Sequence, residues 1–397
     1  MPRTFMSGLD VQAQRGMRPW GRGRLALLTH QSAIASDGRH LLELLEMEGL
    51  RPAVVFSPEH GLWATHQDME AVESMQDPMF SYPVLSLYGR DAVSLAPHRD
   101  WLEGIDRLVV DLQDVGARYY TFAATLAKSL RVAAQTGTTV TLLDRPNPIG
   151  IIKCEGSPQL PDYCSFVGEL QLPHRHGLTM AEMARWIVRE EKLDVDLELV
   201  PMKNWNGRGW PTSAPWVPPS PNMPTLSTAL VYPGMCLLEG TNLSEGRGTT
   251  TPFLVFGAPY MDGRAVAHAL RVLGANKGCI FIPTIFRPMF GKWGGHLCQG
   301  VRIHVTDPEA FCPLTLGTAV LQVAWDLYPA DFAWRTETYE FENDRLAVDL
   351  LFGDPAIRAA IECSAPFEGT VDKLGLRLDD YLEKREGILI YRRRSPK

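Results

Sequence analysis

The sequence predicts an α/β protein, with a parallel sheet covered by helices in its first half and a smaller α+β part after it. Three observations lead there. Short runs rich in Val, Ile and Leu alternate with amphipathic stretches through the first half, the pattern of strand-helix-strand units. Polar residues collect just after those apolar runs. A proline-dense stretch, 210–224, holds six prolines, which fit neither helix nor central strand and mark a rigid connection between two halves of different composition.

Strands are expected at 24–30, 52–57, 84–88, 107–112, 138–144 and 197–202. Between the first two, leucines at helical spacing follow Asp37, a plausible cap. A second helix is expected over 119–135, where Leu126 and Leu130 share a face and Gly137 is the stop. A third starts at Met180. Right-handed crossovers then give an open, doubly wound sheet. Beyond a boundary near Asn222, strands at 279–286 and 300–306 and helices at 264–273 and 314–327 make up the second part, so the expected domains are 1–222 and 223–397.

A chain of 397 residues, 45% hydrophobic, can bury a large core. Its net charge of −7 argues against a nucleic-acid-binding surface, which needs a dense basic patch. The compact basic run Arg392, Arg393, Arg394 reads as a solvated tail. Seven scattered cysteines without a Cys-x-x-Cys pair read as thiols in a reducing compartment. The N-terminus has no apolar signal core and no run approaches the ~18 apolar residues of a membrane helix, so the expected location is cytoplasmic, with no membrane partner. The sequence is silent on oligomeric state.

In an open parallel sheet the ligand crevice lies outside the carboxyl ends of the strands. Here those ends carry Gln31; Glu59 and His60; Asp111, Gln113 and Asp114; and Asp144, Arg145 and Asn147. Each group alone is ordinary turn chemistry. Four such ends on one edge of one sheet point to a site. Glu59 and His60 sit side by side between Pro58 and Gly61, and a crevice that raised the pKa of Glu59 would make it a general acid. Arg118 precedes the expected helix, where a cation opposes the helix dipole; anion binding or an ion pair with Asp114 would explain it. Downstream, Glu239-Gly-Thr-Asn-Leu-Ser-Glu-Gly-Arg-Gly-Thr-Thr-Thr251 presents Glu239, Asn242, Glu245 and Arg247 in a loop suited to a polyhydroxylated, acidic ligand. It lacks the Gly-Lys-Ser/Thr ending of a phosphate loop, and no Gly-x-Gly-x-x-Gly follows the first strand. No His/Cys/carboxylate spacing fits a metal. Neither a cofactor nor a metal is expected.

Read in order, these motifs resemble the exo-β-N-acetylmuramidases of cell-wall recycling, a family long labelled a domain of unknown function. The resemblance rests on Gly8-Leu-Asp10, Phe56-Ser-Pro-Glu-His-Gly61, Ser86-Leu-Tyr-Gly89, Asp111 through Thr121, Leu143-Asp-Arg-Pro-Asn-Pro148, Phe166-Val-Gly168, Arg175-His-Gly177, Pro218 through Pro224, Glu239 through Thr250, Phe256-Gly-Ala-Pro259 and Gly300 through Asp307. It implies a Rossmann-like N-terminal domain, an auxiliary C-terminal domain, a cleft between them, and a muropeptide or muramyl disaccharide substrate. The segment Leu62 to Glu70 departs from the pattern by lacking glycines.

Glycoside hydrolysis normally uses two carboxyl groups around an oxocarbenium-like transition state. Glu59 is the expected acid, with His60 beside it, and the partner is Asp111, Asp114 or Glu245, unless the substrate's own acetamido oxygen takes part. Expected substrate contacts are Gln31, Gln113, Arg118, Tyr119, Asp144, Arg145, Asn147, Asn222, Glu239, Asn242 and Arg247. The lactyl carboxylate asks for a bidentate arginine, first Arg118, then Arg145 or Arg247. A non-catalytic binding protein for an acidic saccharide, and a lyase or hydrolase acting on another amino sugar, are the competing readings.

Overall fold

The computed structural model describes residues 4–391; the basic run Arg392 to Arg394 lies outside them. Seven strands form the main sheet: β1 (Leu25–Thr29), β2 (Val54–Ser57), β3 (Met75–Gln76), β4 (Pro83–Ser86), β5 (Arg107–Asp111), β6 (Thr139–Leu143) and β7 (Leu197–Val200). Their order is β3-β4-β2-β1-β5-β6-β7. Every neighbouring pair is parallel except β3 with β4. Strand β3 is two exposed residues on the outer edge, too short for any periodicity to reveal. The remaining strands step outward from β1 in both directions, so the winding reverses between β1 and β5, the place where such sheets bind ligands. Thr29 pairs with Asp111, which brings the carboxyl ends of these two strands level.

Helices cover both faces. In α1 (Gly8–Arg15) Ser7 and Asp10 form a reciprocal cap. Helix α2 (Leu41–Met47) is capped by His40, whose ring accepts from the Leu42 amide, and not by Asp37, which pairs with Arg39. After the single turn α3 (Arg99–Leu102) comes α4 (Phe122–Thr136), which stops at left-handed Gly137 as the sequence predicts but starts later than expected because 119–121 turn into the cleft. Helix α5 (Met180–Glu191) has a capping box of Thr179 and Glu182.

The second half holds α6 (Leu226–Met235), α7 (Gly263–Val272) and α8 (Pro313–Leu327), and an antiparallel sheet of β8 (Val255–Ala258), β9 (Cys279–Phe286) and β10 (Cys298–Val305), with β10 in the middle. Four short helices end the described chain: α9 (Ala347–Phe352), α10 (Pro355–Glu362), α11 (Phe367–Leu374) and α12 (Leu378–Glu386). These and β8 escaped the sequence reading, being too short to show a helical stripe or an alternation. Helix α12 returns to the first half. Its Arg385, wholly buried, donates to the carbonyls of Gly177 and Ile151, and Tyr381 donates to that of His176. One apolar cluster accordingly runs from β1 through α8 to α12.

Candidate active site

The polar ends of the strands divide into two groups, one open to a cleft and one locked in the protein. The cleft is lined from the sheet side by Glu59, His60, Tyr119, Tyr120 and Thr121, with Ser220 and Asn222 from the proline-rich connection. Tyr232, Glu239, Arg247, Phe253, Tyr339 and Glu340 face them from the second half.

Glu59 is placed by the end of β2. After Pro58, His60 and Gly61 both take positive φ, 71° and 82°, a conformation costly for histidine that turns the chain sharply and leaves Glu59 at the bend. The carboxyl group is 4% exposed. It accepts from the Thr121 hydroxyl at 2.6 Å and from the Met69 amide at 3.5 Å. His60 turns its Nδ1 to the carbonyl of His66 at 3.0 Å, bracing the loop that follows.

On the opposite wall Arg247 is the hub. Its guanidinium lies 3.0 Å from Asp68, 2.8 Å from Glu239 and 3.2 Å from Glu245, above the Phe253 ring. Glu239 also accepts from the Tyr339 hydroxyl at 2.6 Å. Burial would push the Glu245 carboxyl up, but Lys292, at 2.8 Å, and Arg247 outweigh it and hold the group at about 2. Glu245 is therefore a fixed anion and holds no proton to give at neutral pH.

Glu340, which the sequence reading missed, faces this wall. It is 6% exposed and accepts from the Tyr88 hydroxyl at 2.8 Å. Burial, then the charge of Glu59, raise its pKa well above the ordinary carboxylate value, against the pull of Tyr88, and Glu239 and Asp68 add to the rise. Its φ is 46° and that of Phe341 is 69°, two successive left-handed residues without a glycine. Residues 335–343 drew no reading from the sequence; the available signal was Tyr339-Glu340-Phe341, a carboxyl group flanked by two aromatic rings. Asp68 and Thr121 were missed as well: Asp68 lies in the 62–70 segment that departs from the family pattern, and Thr121 ends the Asp111–Thr121 motif without standing out in it.

Most of the remaining expected residues are structural. Arg118 does not reach the cleft: its guanidinium donates to the carbonyls of Ser157 (3.1 Å), Leu172 (2.9 Å) and Leu351 (2.6 Å), tying β5's exit to α9, and burial lowers it to about 10. No Arg118–Asp114 ion pair forms, for Asp114 lies 3.2 Å from His176 and accepts from the Gly116 amide. Arg145 grips Asp111 with two nitrogens in a buried pair. Gln113 spans the carbonyls of Asp114 and Pro146, and Gln31 donates to that of Pro218. Asn147 bonds Leu178 and Ile149. Asp144 accepts from Thr179 and the Ala181 amide at the start of α5. Asn242 receives Tyr260 and the Ala333 amide outside the cleft. Tyr119 lines the cleft with its ring, its hydroxyl given to the Pro233 carbonyl. Asn222 lines it too and donates to Gln67 at 2.8 Å. Thus Glu59, His60, Tyr119, Asn222, Glu239 and Arg247 are brought together, with Glu245 behind them.

A larger hollow lies between residues 158–161, α5 and α12 and contains none of these groups. Among the described residues no three His, Cys, Asp or Glu side chains are grouped to hold a metal ion, and no helix is long and apolar enough to cross a membrane.

Comparison with known proteins yields consistent matches. Residues 25–227 match the model of the N-terminal part of the exo-β-N-acetylmuramidase NamZ, and residues 230–391 that of its C-terminal part. The chain is 36% identical over 371 residues to the peptidoglycan β-N-acetylmuramidase NamZ of Bacillus subtilis (strain 168), covering 93% of this chain and 87% of that protein. Two crystal structures of DUF1343 family proteins from Bacteroides fragilis share the fold. One superposes with a TM-score of 0.86 at 27% identity, the other with 0.76 at 26%, each over 98% of this chain and 99% of the other.

Proposed function

Because the chain belongs to the NamZ exo-β-N-acetylmuramidase family, we propose that it is a glycoside hydrolase that releases terminal β-linked N-acetylmuramic acid from peptidoglycan fragments. The observation that carries this reading is the cleft itself. Glu59, from the Ser57-Pro-Glu-His-Gly61 turn, and Glu239 with Arg247, from the second motif, stand on its opposite walls. Residues 1–222 supply the sheet wall, and 223–397 act as an auxiliary domain that closes the cleft. Scission at an anomeric carbon builds positive charge on the sugar, which buried carboxylates stabilise. Tyr232 and Phe253 add aromatic surface to the cleft, on which a sugar face can pack.

The lactyl carboxylate belongs at Arg247, the arginine that lines the cleft. Its partner Asp68 is the partly exposed member of the group, on the 62–70 loop, and a substrate carboxylate can take its place. The test is product analysis with a muramyl disaccharide. Released N-acetylmuramic acid supports the reading; released lactate would move the protein to ether cleavage, and tight binding without turnover would make it a saccharide-binding protein.

A further inference from the structure

We propose that Glu340 is the second catalytic carboxyl group of the cleft and the proton donor to the departing glycosidic oxygen, with Glu59 acting as its charged partner. This assignment rests on the glycosidase reading above and reverses the role that the sequence suggests for Glu59. Three features of the geometry support it. Both residues line the same small cleft from opposite halves of the chain. Glu59 accepts from two donors, the Thr121 hydroxyl and the Met69 amide. Glu340 has one protein donor, the Tyr88 hydroxyl on Oε2, so Oε1 is left to carry a proton toward a substrate.

The charges around the pair agree. Burial, and then the charges of Glu59, Glu239 and Asp68, raise the Glu340 pKa well above the ordinary carboxylate value. Arg247, which offsets Glu239 and Asp68, is committed to those two and to Glu245. A proton-holding carboxyl group and a second carboxyl group lining the same cleft can divide the work of acid and base. The left-handed backbone at Glu340 and Phe341, unfavourable for residues other than glycine, is maintained at the cleft.

The step balances within the pair. As the bond from the anomeric carbon to the leaving oxygen breaks, its electron pair goes with the oxygen, which takes the proton of Glu340. The Glu59 carboxylate stabilises the cationic sugar. Water adds at the anomeric carbon, and the proton it loses returns to the pair, which again holds a single proton.

Glu340→Gln and Glu59→Gln should be compared on a muramyl disaccharide and on an aryl muramide whose phenolate leaves without protonation. For Glu340→Gln, kcat/KM on the disaccharide should fall about 10²- to 10⁴-fold while the aryl substrate keeps most of its rate, general-acid help being of that size. Glu59→Gln should lose activity on both. The reverse pattern, or equal losses on both substrates for Glu340→Gln, would overturn the assignment. Should Glu340→Gln fail to fold, Tyr88→Phe serves. Removing that donor raises the Glu340 pKa, so the alkaline limb of the disaccharide kcat/KM profile should move to higher pH, and an unmoved limb would overturn the proposal. A wild-type enzyme inert on both substrates would instead sink the glycosidase reading itself.

Discussion

At the scale of single residues, what separates a cleft group from a structural one is how its hydrogen-bonding capacity is used. Arg118, Arg145 and Arg247 can each be read in the sequence as an anion-binding arginine. In the fold, the first spends its guanidinium on backbone carbonyls and the second on Asp111, while the third lies on the cleft wall beside Asp68, Glu239 and Glu245, Asp68 being partly exposed. Specificity for a lactyl carboxylate should follow that difference. Arg247→Lys keeps the charge but loses the planar fork. The ratio of kcat/KM for a muramyl over a glucosaminyl substrate should fall about 10- to 100-fold, matching the roughly 1.5–3 kcal/mol of a hydrogen bond to a charged group. Arg118→Lys should lower stability and leave the ratio alone. If the ratio instead responds to Arg118 and ignores Arg247, the recognition element has been misplaced.

At the scale of elements, the sheet was legible in the sequence because each buried parallel strand is a continuous apolar run ending in polar turn residues. Leu25–Thr29 and Arg107–Asp111 are read directly, and so is the level edge they form. The site was legible only by half. Glu59, Glu239 and Arg247 lie in motif-like loops, whereas Glu340 lies in an aperiodic segment that reaches the cleft through tertiary packing, 281 positions after Glu59. Loop 62–70 was visible only as a departure from the family pattern, yet its Gln67, Asp68 and Met69 touch Asn222, Arg247 and Glu59 in turn. How helices meet is likewise invisible in one dimension. Helices α6 and α8 pack backbone to backbone where Gly234 meets Gly317: a Cβ on Gly317 would lie 2.1 Å from the Gly234 carbonyl oxygen. Gly317→Ala should thus destabilise by about 1–3 kcal/mol or more, as overpacking does. Gly369, inside α11, has nothing within 4 Å of such a Cβ. Gly369→Ala should stabilise by about 0.5–1 kcal/mol through helix propensity. Urea midpoints of the two variants check both signs, and a neutral Gly317→Ala would mean that α6 and α8 can separate without penalty.

At the scale of the whole molecule, the chain's far end is fastened to the sheet through a buried acid, and this ties global stability to pH. Tyr391 donates to Asp144 at 2.5 Å, just past β6, and to the same carboxyl group come the Thr179 hydroxyl and the Ala181 amide. Burial nonetheless dominates and pushes Asp144 up to about 7. The unfolded value is about 3.9, so between these two pH values the native state binds the extra proton. Stability from this group is therefore present below about pH 4, declines as pH rises, and is lost once pH passes 7. The span of about three units at ~1.4 kcal/mol each puts the full loss at roughly 4 kcal/mol. Asp144→Asn keeps the shape, and the Thr179 and Tyr391 hydroxyls can turn to suit an amide, but nothing titrates there. Urea unfolding at pH 5 and pH 8 should show a fall in stability for the wild type that is smaller by a few kcal/mol in Asp144→Asn. Taking the difference removes the parallel contributions of Glu182 and Glu340, both also raised by burial. Equal falls in the two proteins would mean that Asp144 is ionised throughout, held by its four side-chain and backbone donors, the Arg145 amide among them, and that the end of the described chain is fastened without cost in pH range.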